Sequence, residues 1–416
     1  MPGGVAPASA CMTSTWKNWV GNHRCSPAET AAPSGEDEIA SLVAGAAARG
    51  LKVRVAGAGH SFTPVVATDG LLLDLRSLPR IRHIDRERSR VVVGPATTIG
   101  EFGEPLWEAG LALANQGDIV AQQIAGAVAT GTHGSGLRLG SFSSSVRRLR
   151  LVTAAGDVRD IGEDDPELLH AAQLAIGMLG VVTELELEVT PAYRLRERIE
   201  VWSWQEAWDD FEVHAKQHRH FSFFWMPAEE SAALYGLSQP GVSLAGRCYV
   251  KVYDGVDDSV PDNDEPHRRV GPAHAIYPME FEPNFHELEY FVPFENGRDA
   301  TAAVRELMVA RLPVSVFPME VQSVARDEVF LSHSYGRDTA VISISGMPGT
   351  DYWPYLREVD ELLGEFDARV HWGKLHFLTR DQLLARYPRA ETFIELRRSL
   401  DPAGTFLNDH LQLLFD

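Results

Sequence analysis

Two stretches of this chain have residue types and spacings that invite chemistry. The first is Val53-Arg54-Val55-Ala56-Gly57-Ala58-Gly59-His60-Ser61-Phe62, where a β-branched run enters a two-glycine turn and leaves it through a histidine and a serine. A dinucleotide turn of the G-x-G-x-x-G kind needs a third glycine so that a helix can pack closely on the strand, and Phe62 stands in its place. A Walker phosphate loop needs a lysine after its glycines, and no glycine pair here supplies one. A serine nucleophile elbow, G-x-S-x-G, finds Gly59 and Ser61 but meets Thr63 at its second glycine. Residues 63–70 (TPVVATDG) also do not read as the helix that must follow.

The second stretch is Asn115-Gln116-Gly117-Asp118-Ile119, followed by Gln122-Gln123-Ile124-Ala125-Gly126-Ala127-Val128-Ala129-Thr130-Gly131-Thr132-His133-Gly134-Ser135-Gly136. So many small residues let backbone N–H groups come close to a ligand, and successive N–H groups form a nest for phosphate oxygens. Either stretch alone reads as a glycine turn at a strand end. Together they suggest one long ligand with a pyrophosphate in its middle. Farther along, Glu320 lies in Met319-Glu320-Val321-Gln322 on a predicted strand, where an inward carboxylate is costly unless paired or used. Ser343 and Ser345 are two apart and share a strand face. His214, His218 and His220 include an i, i+4 pair that could ligate a metal. However, no glutamate completes H-E-x-x-H, and HAKQHRH reads as a solvated helix face, so no metal site is expected.

At these residues the chain resembles the vanillyl-alcohol-oxidase type of FAD-dependent oxidoreductase. More narrowly, it is similar to the aldonolactone oxidases (L-gulono-1,4-lactone and D-arabinono-1,4-lactone oxidases) and their alditol-oxidase relatives. The resemblance spans nearly the whole chain. It runs in order through Trp16-Lys17-Asn18-Trp19, AGAGHSF, NQGDI with QQIAGAVATGTHGSG, IGMLGVVTELELEV, MEVQ, SYGRDT, HWGK and LDPAGTFLN.

The resemblance implies an α+β, two-domain FAD-binding fold of the vanillyl-alcohol-oxidase or PCMH type, with an α+β substrate (cap) domain carrying an antiparallel sheet. It implies FAD bound covalently through His60, with residues 56–62 and 126–136 wrapping the pyrophosphate and Ser61, Thr132 and Ser135 as side-chain donors. Gly180 and Val182 would lie along the adenosine, and Asn408 would be a further flavin-site residue. Gly117, at the flavin edge where dioxygen attacks, goes with oxidase behaviour, and it also reads as a plain turn glycine.

At the substrate end the resemblance implies that Glu320 contacts the reacting hydroxyl. Lys374 would pair with Glu320 and stabilise a developing alkoxide. Asp118, Ser343 and Ser345 would approach substrate. The implied reaction moves a hydride from a carbinol of an aldonolactone-like substrate to flavin N5, with dioxygen leaving as hydrogen peroxide. An alditol, or a sugar-bearing metabolite such as a nucleoside, is the alternative substrate.

Two departures bear on that choice. Gln322 stands where the family carries an arginine, and it offers a neutral amide instead of a charged fork. Ser343 stands where alditol oxidases carry a histidine. From other classes, a serine hydrolase on Ser61 and a non-catalytic flavin or nucleotide carrier remain open at this point.

The elements that must position these residues are legible in outline. Ile39, Leu42, Val43 and Ala46 predict a helix over 36–50, and strands follow at 52–56, 71–75 and 90–93. Thr98 and Glu101 make a capping-box pattern, as do Thr379 and Gln382. A hairpin is predicted over 148–161 and a helix near 166–176. A half-buried strand is predicted over 180–189, with Val182, Leu185, Leu187 and Val189 inward. A helix is expected at 298–311, with strands at 321–323 and 340–345. The acidic stretch Asp254–Pro266 reads as solvated and mobile.

A chain of 416 residues implies two domains. The expected division is 12–193 for FAD, 194–376 for substrate, and 377–416 returning to the FAD domain. A net charge of -20 argues against nucleic acid and anionic membranes as partners. Three scattered cysteines (Cys11, Cys25, Cys248) support neither a disulfide framework nor a zinc cluster. No apolar run is long enough to span a bilayer, and the first residues lack a signal-peptide pattern, with Met12 a possible start. The expectation is a cytoplasmic monomer or small homo-oligomer acting on a small molecule, with no metal.

Overall fold

The computed structural model describes residues 15–416; Cys11 and Met12 lie outside them. The first layer is a three-stranded parallel sheet of β1 (Glu29–Ala31), β2 (Val53–Ala56) and β3 (Leu71–Asp74), with β3 in the centre. Helix α1 (Glu36–Ala48) buries Ile39, Val43 and Ala46 against it, which is the apolar stripe read from the sequence.

A second, antiparallel sheet contains β4 (Ile81–Asp85), β5 (Arg90–Val93), β6 (Val146–Val152), β7 (Val158–Gly162) and β8 (Val181–Glu188), in the order β7-β6-β8-β5-β4. The hairpin expected over 148–161 is β6–β7. The Thr98–Glu101 capping box forms as predicted. Helix α2 (Gly103–Glu108) follows, and α3 (Ile124–Thr130) and α4 (Pro166–Ala172) complete this part.

The largest element is an eight-stranded antiparallel sheet. Its strands are β9 (Arg194–Ser203), β10 (His220–Trp225), β11 (Arg247–Val256), β12 (Val270–Pro272), β13 (His286–Pro293), β14 (Met319–Val324), β15 (Thr339–Gly346) and β16 (Arg369–Val370). Their order is β12-β9-β11-β10-β14-β15-β13-β16. Helices Gly297–Ala310 and Trp353–Gly364 cover one face. The other face turns toward the first two sheets and carries the polar residues described below.

The chain end runs back to the first sheet. Val53 N–H donates to the Thr405 carbonyl, and Phe406 packs in the cluster around α1. A tight loop joins the two halves of the molecule. Gly136 N–H donates to the Ser323 carbonyl at 2.7 Å, and the Ser135 carbonyl lies 2.6 Å from His220 Nδ1. A Cβ on Gly134 would sit 1.9 Å from the Gln116 carbonyl, so only glycine lets these two backbones meet.

Four expectations are corrected. Residues 124–130 form helix α3, not loop, because Ala125, Ala127, Val128 and Ala129 allow a helix whose small side chains pack closely. Val182 falls out of phase with Leu185 and Leu187. The strand alternates without a break, with Val181, Thr183, Leu185 and Leu187 buried, and Val182, three positions from Leu185, falls on the other side. The 254–266 stretch is solvated as expected but anchored: Asp254 lies within strand β11 and accepts from His218 Nδ1 at 2.9 Å, while Asp262 pairs with Arg194 at 2.5 Å. His218 and His220 are therefore buried partners in the fold, not a solvated face; only His214 lies on the helix, stacked on His218.

Candidate active site

The AGAGHSF turn leaves β2 and is held from several sides. Trp19 N–H donates to the Gly59 carbonyl, Asn18 Nδ2 to the Ser61 carbonyl, and Phe62 N–H to the Gly373 carbonyl at 2.7 Å. Gly59 sits at φ +77°, which a side chain would strain. Facing the turn is α3, and between them runs a long cavity. Its empty space, mouth included, is about 2050 Å³.

Most of the predicted cofactor residues border this cavity. Gly57, Ala58, Gly59, His60, Ser61 and Phe62 line it from one side, and Gln123, Gly126, Thr130, Thr132 and His133 from the other. Gly180 and Val182 lie at an apolar end shared with Val55, Leu149, Leu151 and Leu185. Gly57, Ala58 and Gly126 are exposed only because they face the cavity, and a Cβ on Gly126 would meet nothing within 4 Å. His60 Nδ1 and Thr132 Oγ1 are buried without a hydrogen-bond partner among the described residues. Apolar lining, small residues that open backbone to the cavity and two unsatisfied buried polar atoms beside it fit FAD, with its flat rings and central diphosphate.

Other predicted residues do not border the cavity. Ala56 ends β2 beside it. Gly117 lies behind Asp118 against the Phe142 ring, Gly131 closes α3 at φ +79° against His333, and Gly134 packs on Gln116. Ser135 is no cofactor donor: its Oγ and N–H both meet the Tyr277 hydroxyl. Asn408 is also reassigned. Its amide donates to the Pro64 and Ala67 carbonyls and its oxygen caps helix Asp409–Phe415, while Phe406 is the tail residue at the cavity. Ser61 has no histidine partner among the described residues and 63–70 form no helix, which removes the nucleophile-elbow reading.

The polar wall comes from the large sheet. Glu320 is directly opposite Phe224 on β10 and Ser343 on β15; Ser343 is opposite Glu289, and Ser345 opposite Glu287. Opposed residues point to one face and side chains alternate, so Glu320, Gln322, Ser343, Ser345, Glu287 and Glu289 all share it. Glu320, Gln322, Glu287, Glu289 and Lys374 reach the cavity, and Asp118 closes it from the α3 side. Ser343 and Ser345 stand just behind; Ser345 Oγ bonds the Tyr235 hydroxyl at 2.7 Å. Trp19, Tyr235, Phe281 and Phe285 form an aromatic rim.

The comparisons bear on the same surfaces. The family profile described as FAD binding domain matches residues 27–162, and that described as D-arabinono-1,4-lactone oxidase matches 241–414. The chain is 34% identical to L-gulono-1,4-lactone dehydrogenase of Mycobacterium tuberculosis, over 96% of this chain and 98% of that one. It is 32% identical to an alditol oxidase of a Streptomyces species, over 97% of this chain and the whole of that one. The chain belongs to the FAD-dependent aldonolactone and alditol oxidase family.

A cholesterol oxidase from Brevibacterium sterolicum shares its fold, with a TM-score of 0.83 at 15% identity over the whole of both chains. This aldonolactone and alditol oxidase fold is thus the expected α+β, FAD-binding PCMH type. No helix among the described residues is long and apolar enough to cross a membrane.

In this family member the expected Lys374–Glu320 pair does not form. Lys374 is bound instead by Glu287 and, at 3.5 Å, by Glu289, which also meets His133 Nε2 at 2.7 Å. Burial would lower the Lys374 ammonium, but Glu287 and Glu289 outweigh it and hold it charged. Burial raises Glu287. For Glu289 the same burial is outweighed by Lys374 and His133, which keep it well below the usual carboxylate range.

Glu320 has no ion-pair partner among the described residues, and its Oε1 is buried and unpartnered. Burial, then the Asp118 charge, push its carboxyl well up, against the pull of Lys251. His60 is pressed down to about 4, by burial and then by Lys374, so its imidazole is neutral at physiological pH. Glu287, Glu289, His371 and Lys251 were not singled out in the sequence. The signal for the first two was present: two glutamates two apart inside the apolar run HELEYFVP, as in MEVQ.

Proposed function

We propose that this chain is an oxidase that removes a hydride from a carbinol of a polyhydroxylated sugar derivative, an aldonolactone first, using FAD attached through His60. When bound, FAD would supply a two-electron acceptor for the hydride at its N5 and would be reoxidised by dioxygen, which with the hydride's electron pair and two protons, one of them from the substrate hydroxyl, gives hydrogen peroxide. The observation that carries the reading is the facing of two unlike surfaces across one cavity: a small-residue cradle on one side and Glu320 on the other. A neutral, unpartnered His60 ring nitrogen supports its role as the attachment point.

Glu320 in its ionised form accepts the proton of the reacting hydroxyl, and the burial that raises its proton affinity makes it the stronger base for that step. Lys374, oriented by Glu287 and Glu289, supplies positive charge near the developing alkoxide. Gln322 and Asp118 orient further hydroxyls, with Ser343 and Ser345 supporting the strand behind them. An alditol is the second reading, favoured by the neutral Gln322 amide in place of a charged fork, which suits a chain of hydroxyls. We keep the division into a flavin part up to 193, a substrate part over 194–376 and a returning tail. It is supported by β9 starting at Arg194 and by the Val53–Thr405 bond. A cytoplasmic setting and a monomer or small homo-oligomer complete the proposal.

A denaturing gel viewed for flavin fluorescence tests the attachment, with fluorescence expected on the parent chain and absent from His60→Ala. Flavin that separates from the parent overturns it. A panel of aldonolactones, alditols and nucleosides with peroxide detection tests the substrate. Turnover of alditols without lactones replaces the first reading by the second.

A further inference from the structure

Lys251 is a buried cation beside the reaction chamber with no task in the reading above. It sits in the middle of β11, 1% exposed, and does not itself reach the cavity. Its Nζ lies 3.2 Å from Asp118 Oδ1 and 2.8 Å from Met279 Sδ, framed by the rings of Phe224, Tyr253 and Tyr277. Asp118 comes from the other half of the molecule and does line the cavity. Lys251 shares the inward face with Glu320: it is opposite Ser222 on β10, and Phe224, two residues on, is opposite Glu320.

Holding the Asp118 loop to the sheet does not explain a buried ammonium. The Met279 N–H already bonds the Asp118 carbonyl at 3.0 Å, and an apolar residue at 251 would avoid the cost of burying a charge. We propose that Lys251 is a positioning residue for proton transfer: it pins the Asp118 side chain against the sheet, and the charge of this pair sets how readily Glu320 takes up a proton. The inference rests on the role of Glu320 proposed above.

The groups that face Glu320 are Asp118 from the loop before α3, Lys251 from β11, Glu287 and Glu289 from β13, Lys374 after β16, and the Tyr235 hydroxyl. Glu287 and Glu289 are countered by Lys374. Asp118 is countered by Lys251 alone among the described residues. Taking away Lys251 therefore leaves Asp118 uncompensated beside Glu320, and taking away the Asp118 charge leaves Lys251 uncompensated.

The test uses the flavin-loaded enzyme and the pH profile of kcat/KM, with Glu320→Gln identifying the acidic limb. Lys251→Met is expected to move that limb to higher pH by about one unit or more, and Asp118→Asn to move it to lower pH. The double variant should return toward the parent, and Lys251→Arg should stay near it. The protonated Glu320 carbonyl stretch in the infrared, assigned by its loss in Glu320→Gln and followed with pH, should shift in the same directions without any turnover. A merely structural role would move Lys251→Met and Asp118→Asn alike. Limbs and bands that stay put, or move the same way in both, overturn the inference. If Lys251→Met does not fold, the downward shift in Asp118→Asn decides. An acidic limb that survives in Glu320→Gln overturns the role of Glu320 itself.

Discussion

The two walls of the cavity are built on opposite principles. The cradle wall is made of what is missing: glycine and alanine at 57, 58 and 126 bring backbone to the cofactor, and few side chains intrude. It comes from two contiguous stretches of chain. The polar wall is made of side chains standing on alternate positions of β13 and β14, backed by those of β15, with Lys374 after β16, drawn from nearly ninety residues of sequence. In the proposed reading one wall takes the cofactor by close approach, and the other assembles charge around the substrate. The cradle should therefore fail by obstruction and the polar wall by charge.

The largest effect should come from crossing the two failures. Gly126→Leu adds a side chain where only the cavity is open, in a helix that tolerates it better than glycine. The expected protein is folded, with its melting temperature kept or raised when stripped, and without bound flavin by absorbance. Glu320→Gln should keep its flavin spectrum and lose about 10²–10⁴-fold in the rate of flavin reduction by substrate. A Gly126→Leu protein that stays yellow, or a Glu320→Gln protein that stays fast, breaks the comparison.

A smaller effect separates the walls by stability. Lys374→Met strands Glu287 and Glu289 in the interior, and removing one partner of such a buried pair costs about 3–5 kcal/mol. Denaturant midpoints should show that loss, and Glu287→Gln introduced beside it should recover part. Equal stability of Lys374→Met and parent would mean that water reaches these carboxylates freely.

The smallest effect is acid sensitivity. His220 and His371 are both pressed to about 3, chiefly by burial. The unfolded chain takes up these protons below about 6.5 while the folded chain refuses them, so stability is full above that pH and falls as pH drops toward 3. At pH 5 each contributes a loss of about 2 kcal/mol. Equilibrium unfolding of His371→Asn at pH 7 and pH 5 should show a smaller difference between the two than the parent does.

The same contrast explains what the sequence revealed. AGAGHSF and the 115–136 stretch were legible because a cradle is local, and its glycines are adjacent in the chain as in space. Even so, Gly131 turned out to close a helix, Gly134 to let two backbones meet and Ser135 to bond a tyrosine, since a glycine-rich string does not say which of its members face the ligand. Glu320 was found because an isolated carboxylate on a strand is conspicuous. Its electrostatic setting was missed, because pairing Lys374 with Glu287 and placing Lys251 beside Asp118 depends on strand order, which no spacing encodes. Asn408 was placed in the right neighbourhood with the wrong task, its amide spent on the 64–67 turn. Val182 was misphased because it lies three positions from Leu185, which on a period-two strand is the opposite face.

The loop at 131–136 has a consequence for engineering. Its one flank borders the cavity at Thr132 and His133, while its other is bonded into the large sheet through Ser135, Tyr277, His220 and Ser323. A chimaera made by exchanging residues 194–376 between relatives would cut through those bonds, although the graft point at 193 looks clean along the chain. The interchangeable unit is the large sheet together with this six-residue tongue, so transplanted specificity should survive only when both travel from the same parent.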